Sequence, residues 1–271
     1  NLPNKILLCG AKGIGKATLA YHLINFIFSR NEELKYDLDN LEINELNKSY
    51  KLINSNTHPN FYLIEKQNDN KHIEISQVRD MINFTNKSSF NNRERIILID
   101  NVENLNLNSL NALLKIVEEP NYNILFILIY NSNKNLLNTL KSRCLKFNLS
   151  LTNDECINIT NQLVQKNIFD LINKELINYY NTPGELLDLV KFSLKSKIDL
   201  SKLNLRNFLI KIIEEKYYKK DNIINNIIYN YVELYLLNLM NMKESRSTII
   251  SFYNNVISLL ILNLNSISRV W

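Results

Sequence analysis

The feature that most constrains the fold is a glycine-rich segment between an apolar run and a helical pattern. Residues 10–20 read GAKGIGKATLA, in which Gly10, Gly15 and Lys16 match the spacing G-x-x-x-x-G-K. The run KILLC precedes this segment, and apolar residues at helical spacing follow it. A strand, a glycine loop and a helix in this order form the context in which such a loop holds phosphate. The segment therefore predicts a P-loop within an α/β sheet.

Short apolar runs alternate with helical patterns through the first 150 residues. Strands that alternate with helices predict right-handed crossovers and a parallel sheet covered on both faces. Residues 31–57 are polar and irregular, which predicts an insertion or a poorly packed helix. The predicted strands are 5–9, 60–65, 95–100, 123–130 and 144–149, and the predicted helices include 75–85 and 108–119.

After residue 150 the strand pattern stops and only helical patterns remain. The sequences TNDE at 152–155 and TPGE at 182–185 are capping boxes that predict helix starts. Apolar pairs recur at helical spacing between 223 and 235 and again between 249 and 260, which predicts a bundle of long helices. The chain is thus predicted to have a P-loop domain over 1–150, a three-helix domain over 151–203 and a helical domain over 204–271.

The glycine loop also contains candidate nucleotide-binding residues. Glycines allow backbone N–H groups to approach phosphate oxygens, and the helix N-terminus adds a favourable dipole. The lysine would neutralise the β- and γ-phosphates. The candidates in this segment are Gly10, Gly13, Gly15, Lys16 and Thr18.

Groups that hydrolysis would need are missing around this loop. Ala17 stands where a hydroxyl normally binds Mg²⁺, and Thr18 is turned away by roughly 100° around the helix. Asp100 ends a β-branched run and is the expected second Mg²⁺ ligand, but it is followed by Asn101, which cannot act as a base. We expect Glu103, three positions further along, to be a solvated turn residue.

Arg143 is the candidate catalytic residue outside the loop. It lies in SRC at 142–144, directly before the fifth predicted strand, where an arginine can project from the edge of the domain. From there it could stabilise phosphate charge on a neighbouring subunit, the role of an arginine finger. An ordinary surface arginine remains the alternative.

The remaining composition excludes several other classes of site. Cys9, Cys144 and Cys156 are far apart without any CxxC, which supports neither a disulfide framework nor a zinc site. No apolar run reaches the roughly 18–20 residues that span a bilayer. The net charge of +5 is scattered along the chain, so it permits DNA contact without predicting it.

Four motifs in the same order and spacing carry a family resemblance. They are GAKGIGKATLA, HPN at 58–60, NALLKIVEEP at 111–120 and LLNTLKSRC at 136–144. Together they resemble the delta prime family of the bacterial DNA polymerase III clamp loader, with a loop typical of alphaproteobacterial members. The resemblance covers about residues 5–190, and the C-terminal helices agree only in type and length.

The resemblance implies a role for each of the three predicted parts. They would be a RecA-like AAA+ domain, a three-helix lid and a helical collar in an open ring of five subunits. The implied partners are gamma/tau and delta subunits, the sliding clamp and primer–template DNA, in the bacterial cytoplasm and away from membranes. Arg143 would serve the ATP site of the adjacent gamma/tau subunit, and Lys16, Asp100 and Asn131 would be the P-loop lysine, the Walker B aspartate and the sensor-1 residue.

Departures from the family pattern indicate a non-hydrolysing subunit of the polymerase III holoenzyme. Besides Ala17 and Asn101, Glu185 falls where the sensor-2 arginine of the lid would sit, and it also suits the role of capping partner for Thr182. No cysteine cluster lies in 31–57, so we expect no zinc. No cofactor would be required, although weak ATP or ADP binding stays open. The alternative is an active, gamma/tau-like clamp-loader ATPase of the same fold.

Overall fold

The structure is a computed structural model, and it places the chain in two compact units with separate hydrophobic cores. The first unit holds residues up to 156 together with 182–184, and the second holds 157–181 and the residues from 185 onward. The residues that the structure describes are 3–66, 72–86, 94–118, 123–178 and 181–241.

The first unit is built on a five-stranded sheet in the order β2-β3-β4-β1-β5. Every neighbouring pair of strands is parallel, and β1 lies between β4 and β5, with Ile6 opposite Ile127 on one side and Leu145 on the other. This arrangement confirms the predicted parallel α/β sheet. The strands are β1 (Lys5–Gly10), β2 (Phe61–Ile64), β3 (Arg95–Ile99), β4 (Ile124–Asn131) and β5 (Leu145–Asn148).

Two helices of the first unit, α2 and α6, begin at side-chain caps that the sequence offers. At the start of α6, Thr152 donates its N–H to Glu155 Oε2 at 2.7 Å, and Glu155 returns its N–H to Thr152 Oγ1 at 3.3 Å. This reciprocal pair confirms the first predicted capping box. Asn47 caps α2 by accepting the N–H of Tyr50. The helices are α1 (Lys16–Phe28), α2 (Lys48–Asn54), α3 (Ile75–Asn86), α4 (Leu107–Glu118), α5 (Asn138–Lys141) and α6 (Asn153–Val164).

Alternation along the strands divides the first core into two layers. Successive strand residues point to opposite faces of a sheet, so a continuous apolar strand needs cover on both faces. In β1, Leu7 and Cys9 pack with residues of α3 and α4, whereas Ile6 and Leu8 pack with residues of α1 and α2. All eight residues of β4 are buried, as expected for a central strand.

The second unit is entirely helical in the residues described. Its core contains the fully buried rings of Phe192, Phe208 and Tyr231, and the Tyr231 hydroxyl donates to the carbonyl of Leu176 at 2.8 Å. This unit contains the part of α6 from residue 157 onward. Its further helices are α7 (Ile168–Leu171), α8 (Pro183–Ser196), α9 (Leu205–Glu214), α10 (Tyr217–Lys220) and α11 (Asn222–Asn241).

The second core extends across the boundary predicted between 203 and 204. Leu203 and Leu205 both pack into it, so the division into a lid and a collar stays a prediction. The second set of apolar pairs, at 249–260, lies outside the described residues, as does Pro120. Within the described ranges, no helix combines the length and the apolar character needed to cross a membrane.

Candidate functional site

The glycine loop connects β1 to α1 at the carboxyl edge of the sheet. Gly13 and Gly15 have φ angles of +86° and +91°, a backbone conformation that residues other than glycine rarely adopt. Gly15 is also the residue that precedes the first turn of α1. The local backbone thus explains why the motif needs glycine at these two positions.

The side chain of Lys16 is buried against the glycine loop. Only 7% of the residue is exposed, and its Nζ donates to the carbonyls of Gly10 at 2.9 Å and Ala11 at 2.6 Å. Burial lowers the pKa of Lys16, and the negative charges of Glu103 and Asp100 oppose that shift. The lysine is therefore held by backbone oxygens of the loop, and the charges of two carboxylates act on it.

A second segment of the first unit, Thr182–Gly184 at the start of α8, packs against the glycine loop. Gly184 donates its N–H to the carbonyl of Gly13 at 3.0 Å. A Cβ atom on Gly13 would lie 2.5 Å from Thr182 Oγ1, and one on Gly184 would lie 2.7 Å from the Cα of Gly13. The sequence predicted only a helix start here and missed this backbone contact.

Glu185, the next residue, belongs to the second unit. Burial raises the pKa of the Tyr231 hydroxyl, and the charge of Glu185 adds to that shift. Its predicted place at the sensor-2 position of the lid stays a prediction.

The carboxyl end of β3 carries the predicted Walker B position. Burial raises the pKa of Asp100, and the charges of Glu65 and Glu103 raise it further, while the backbone N–H of Asn101 and the charge of Lys16 lower it. Asn101 itself has a φ of +55° and a ψ of +56°, in the left-handed region that asparagine tolerates better than most residues. This residue turns the chain into a short 3₁₀ helix, Val102–Asn104.

Glu103 is not the solvated turn residue that we expected. Its side chain is fully buried, and its Oε2 accepts the backbone N–H of Asn131 at 3.2 Å. Its Oε1 has no hydrogen-bond partner among the described residues and lies 3.8 Å from the Nζ of Lys134. The prediction was wrong because the left-handed turn at Asn101 brings this carboxylate over the end of β4, which no feature of the local sequence indicated.

Neutralising Glu103 tests whether its charge opposes phosphate binding. We expect Glu103→Gln to bind ATP several-fold more tightly than the native chain, because the amide can still accept the N–H of Asn131 but no longer repels an anion near Lys16. Isothermal titration with ATP and Mg²⁺ measures the difference, and Glu33→Gln, at an exposed position, controls for net charge. Equal or weaker binding than the native chain would contradict the expectation.

The other predicted nucleotide residues take up different positions. Asn131 ends β4 and lies opposite Gly10 in the sheet register, with 8% of its surface exposed. Ala17 packs partly against the core, whereas Thr18 is exposed on α1. The structure therefore brings Lys16, Asp100, Glu103 and Asn131 to one edge of the sheet. Nucleotide contact by any of the predicted residues stays a prediction.

Arg143 follows α5 and lies directly before β5. Its Nε donates to Glu118 Oε1 at 3.0 Å, its Nη2 contacts the same oxygen, and its Nη1 donates to the carbonyl of Thr139 at 2.7 Å. About a third of the side chain is exposed, at 32%. The arginine thus reaches the surface while two groups of its own chain hold it.

Metal ligands are not clustered in the part of the chain that the structure describes. No group of three or more His, Cys, Asp or Glu side chains is placed there to hold an ion, and the three cysteines are free thiols. The absence of zinc from the protein stays a prediction.

Comparisons with known proteins point to one family. A family model described as DNA polymerase III, delta subunit, matches residues 1–153. The delta' subunit of DNA polymerase III from Pseudomonas aeruginosa is 31% identical over 140 residues, which are 52% of this chain and 41% of that protein. The gamma subunit from Buchnera aphidicola is 31% identical over 206 residues, which are 74% of this chain and 54% of that protein.

These matches extend over about half the length of the two relatives, at 41% and 54%. A solved gamma-subunit-related protein from Thermotoga maritima is 18% identical to the chain, with a TM-score of 0.42, over 76% of this chain and 60% of that one.

Proposed function

The chain belongs to the DNA polymerase III delta subunit family, and from this premise we propose that it is a delta prime subunit of the clamp loader. In this role it is a rigid member of the ring that assists ATP hydrolysis by a neighbour and hydrolyses no ATP itself. It assembles with gamma/tau and delta subunits in the bacterial cytoplasm. Through the complex it acts on the sliding clamp and on primer–template DNA.

The contrast between Arg143 and the chain's own loop carries the proposal. Arg143 is partly exposed and anchored, as a residue that serves another subunit must be. The chain's own loop has Ala17 where Mg²⁺ normally finds a hydroxyl, and it has Asn101 where hydrolysing relatives carry a glutamate. A subunit with these two changes can still place the positive charge of Arg143 beside a phosphate that is bound by the neighbouring subunit.

An active, gamma/tau-like ATPase is the second candidate. The similarity to a gamma subunit favours it, as do the retained Lys16 and Asp100. The buried carboxylate of Glu103 near Lys16 also offers a group of the right chemistry for a general base. ATP turnover by the isolated chain separates the two candidates.

We expect the isolated chain to release phosphate from ATP at the background rate. Losing a general base alone lowers such rates by ~10²–10⁴, and Ala17 removes a metal ligand as well. Phosphate release is measured with and without Mg²⁺, for the native chain and for Lys16→Ala. A robust rate that disappears in Lys16→Ala would favour the active ATPase.

A further inference from the structure

The hydrogen bonds of Arg143 leave one part of its guanidinium group available. An arginine side chain has five N–H donors and no acceptor. Glu118 Oε1 takes one donor from Nε and one from Nη2, and the Thr139 carbonyl takes one from Nη1. Among the residues that the structure describes, no further acceptor is seen for the other two donors, one on each terminal nitrogen.

A pair of parallel donors on the two terminal nitrogens is the fork that arginine uses for bidentate phosphate recognition. The two internal acceptors come from separate elements, because Glu118 ends α4 and Thr139 lies in α5. The plane of the guanidinium group is thereby set by the fold and not by the ligand.

We infer that Glu118 is a positioning residue, which orients Arg143 so that its free fork faces the phosphate of the neighbouring subunit. This inference rests on the proposed function. An arginine without these anchors samples many rotamers. Fixing it in one rotamer when phosphate binds costs conformational entropy, which offsets part of the free energy gained from its contacts with phosphate. Exposed ion pairs contribute little attraction by themselves, so the value of the Glu118 contact is its geometry.

The opposite role would be a latch that withholds Arg143 until the ring assembles. A latch must occupy the donors that the phosphate needs, and it must be broken before catalysis. Glu118 uses the edge formed by Nε and Nη2, and the Thr139 carbonyl takes one donor of Nη1, so one donor is left on each terminal nitrogen. The geometry therefore favours an anchor that stays in place while the phosphate is bound.

The test uses the complete clamp loader reconstituted with variant chains, and it measures DNA-stimulated ATP hydrolysis as kcat and KM. We expect Glu118→Ala to lower kcat at the affected site about ten-fold while KM for ATP and assembly of the ring stay unchanged. Glu118→Asp, which keeps a carboxylate at this position, is expected to recover part of the loss. Glu33→Gln, an exposed charge change outside α4, serves as the control.

A merely structural role would not reproduce this pattern. If Glu118 acts only through Arg143, the double variant with Arg143→Ala loses no more activity than Arg143→Ala alone. An unchanged or higher kcat in Glu118→Ala, with Arg143→Ala still impaired, overturns the positioning role and leaves the proposed function intact. No effect of Arg143→Ala overturns both.

Discussion

Replacing Arg143 by alanine is expected, under the proposed function, to lower ATP hydrolysis at the adjacent subunit's site about 10³-fold. An arginine finger stabilises the charge that develops on the phosphate oxygens in the transition state, and its removal typically costs this much in rate. The side chain is partly exposed, and its contacts are to Glu118 and the Thr139 carbonyl, so the folded chain should persist without it. The measurement is phosphate release by the reconstituted complex in the presence of primed DNA and the clamp.

Two further variants make the result specific. Arg143→Lys keeps the positive charge but has no planar fork, so it should restore only a small part of the rate. Arg79→Ala removes an exposed arginine from α3 and should leave the rate unchanged. A complex that retained full activity with Arg143→Ala would contradict the assignment of this residue.

The second large effect is expected at Gly13. An alanine at this position would have to adopt a φ of +86°, which costs about 1–2 kcal/mol. Its Cβ would also lie 2.5 Å from Thr182 Oγ1 and 3.1 Å from the Cα of Gly184, and such overpacking costs about 1–3 kcal/mol. We therefore expect Gly13→Ala to lower the free energy of unfolding by about 3 kcal/mol.

Gly15→Ala is the matched control, because Gly15 has the same strained backbone at φ +91° but no atom within 4 Å of its Cβ position. This variant should lose only the backbone component, about 1–2 kcal/mol. At about 2–4 °C per kcal/mol, thermal unfolding resolves the two variants. If they had equal melting temperatures, the packing of residues 182–184 on the loop would not contribute to stability.

The central strands of the sheet were predictable because they are buried on both faces. Runs such as IILI at 96–99 and ILFILIY at 124–130 have no polar interruption, and only a central parallel strand or a buried helix accommodates that pattern. Their short length and the helical patterns between them favoured strands. The glycine loop was predictable for a similar reason, since the positive φ angles of Gly13 and Gly15 restrict those positions to glycine.

The position of Glu103 was not predictable from its neighbours in the chain. A glutamate in a turn just after a strand is usually solvated, whereas the burial of Glu103 depends on the left-handed turn at Asn101 and on an N–H from β4. From the sequence we interpreted Asn101 as the absence of a catalytic general base. The structure also shows that Asn101 adopts the left-handed conformation that begins the 3₁₀ helix Val102–Asn104. The contact of Gly13 with Gly184 joins positions about 170 residues apart, for which a single sequence offers no local signal.

The sequence by itself determined which chemical groups this protein has and lacks: a P-loop lysine, no metal-binding hydroxyl in the loop, no glutamate after Asp100, and an arginine before the last strand. Only the tertiary structure decided how these groups are neutralised and oriented. Glu103 accepts an N–H from β4, and Arg143 is held by a carboxylate at the end of α4. The physical reason is that residue type and periodicity are local properties, whereas burial and hydrogen-bond partners depend on which distant segments the fold brings together.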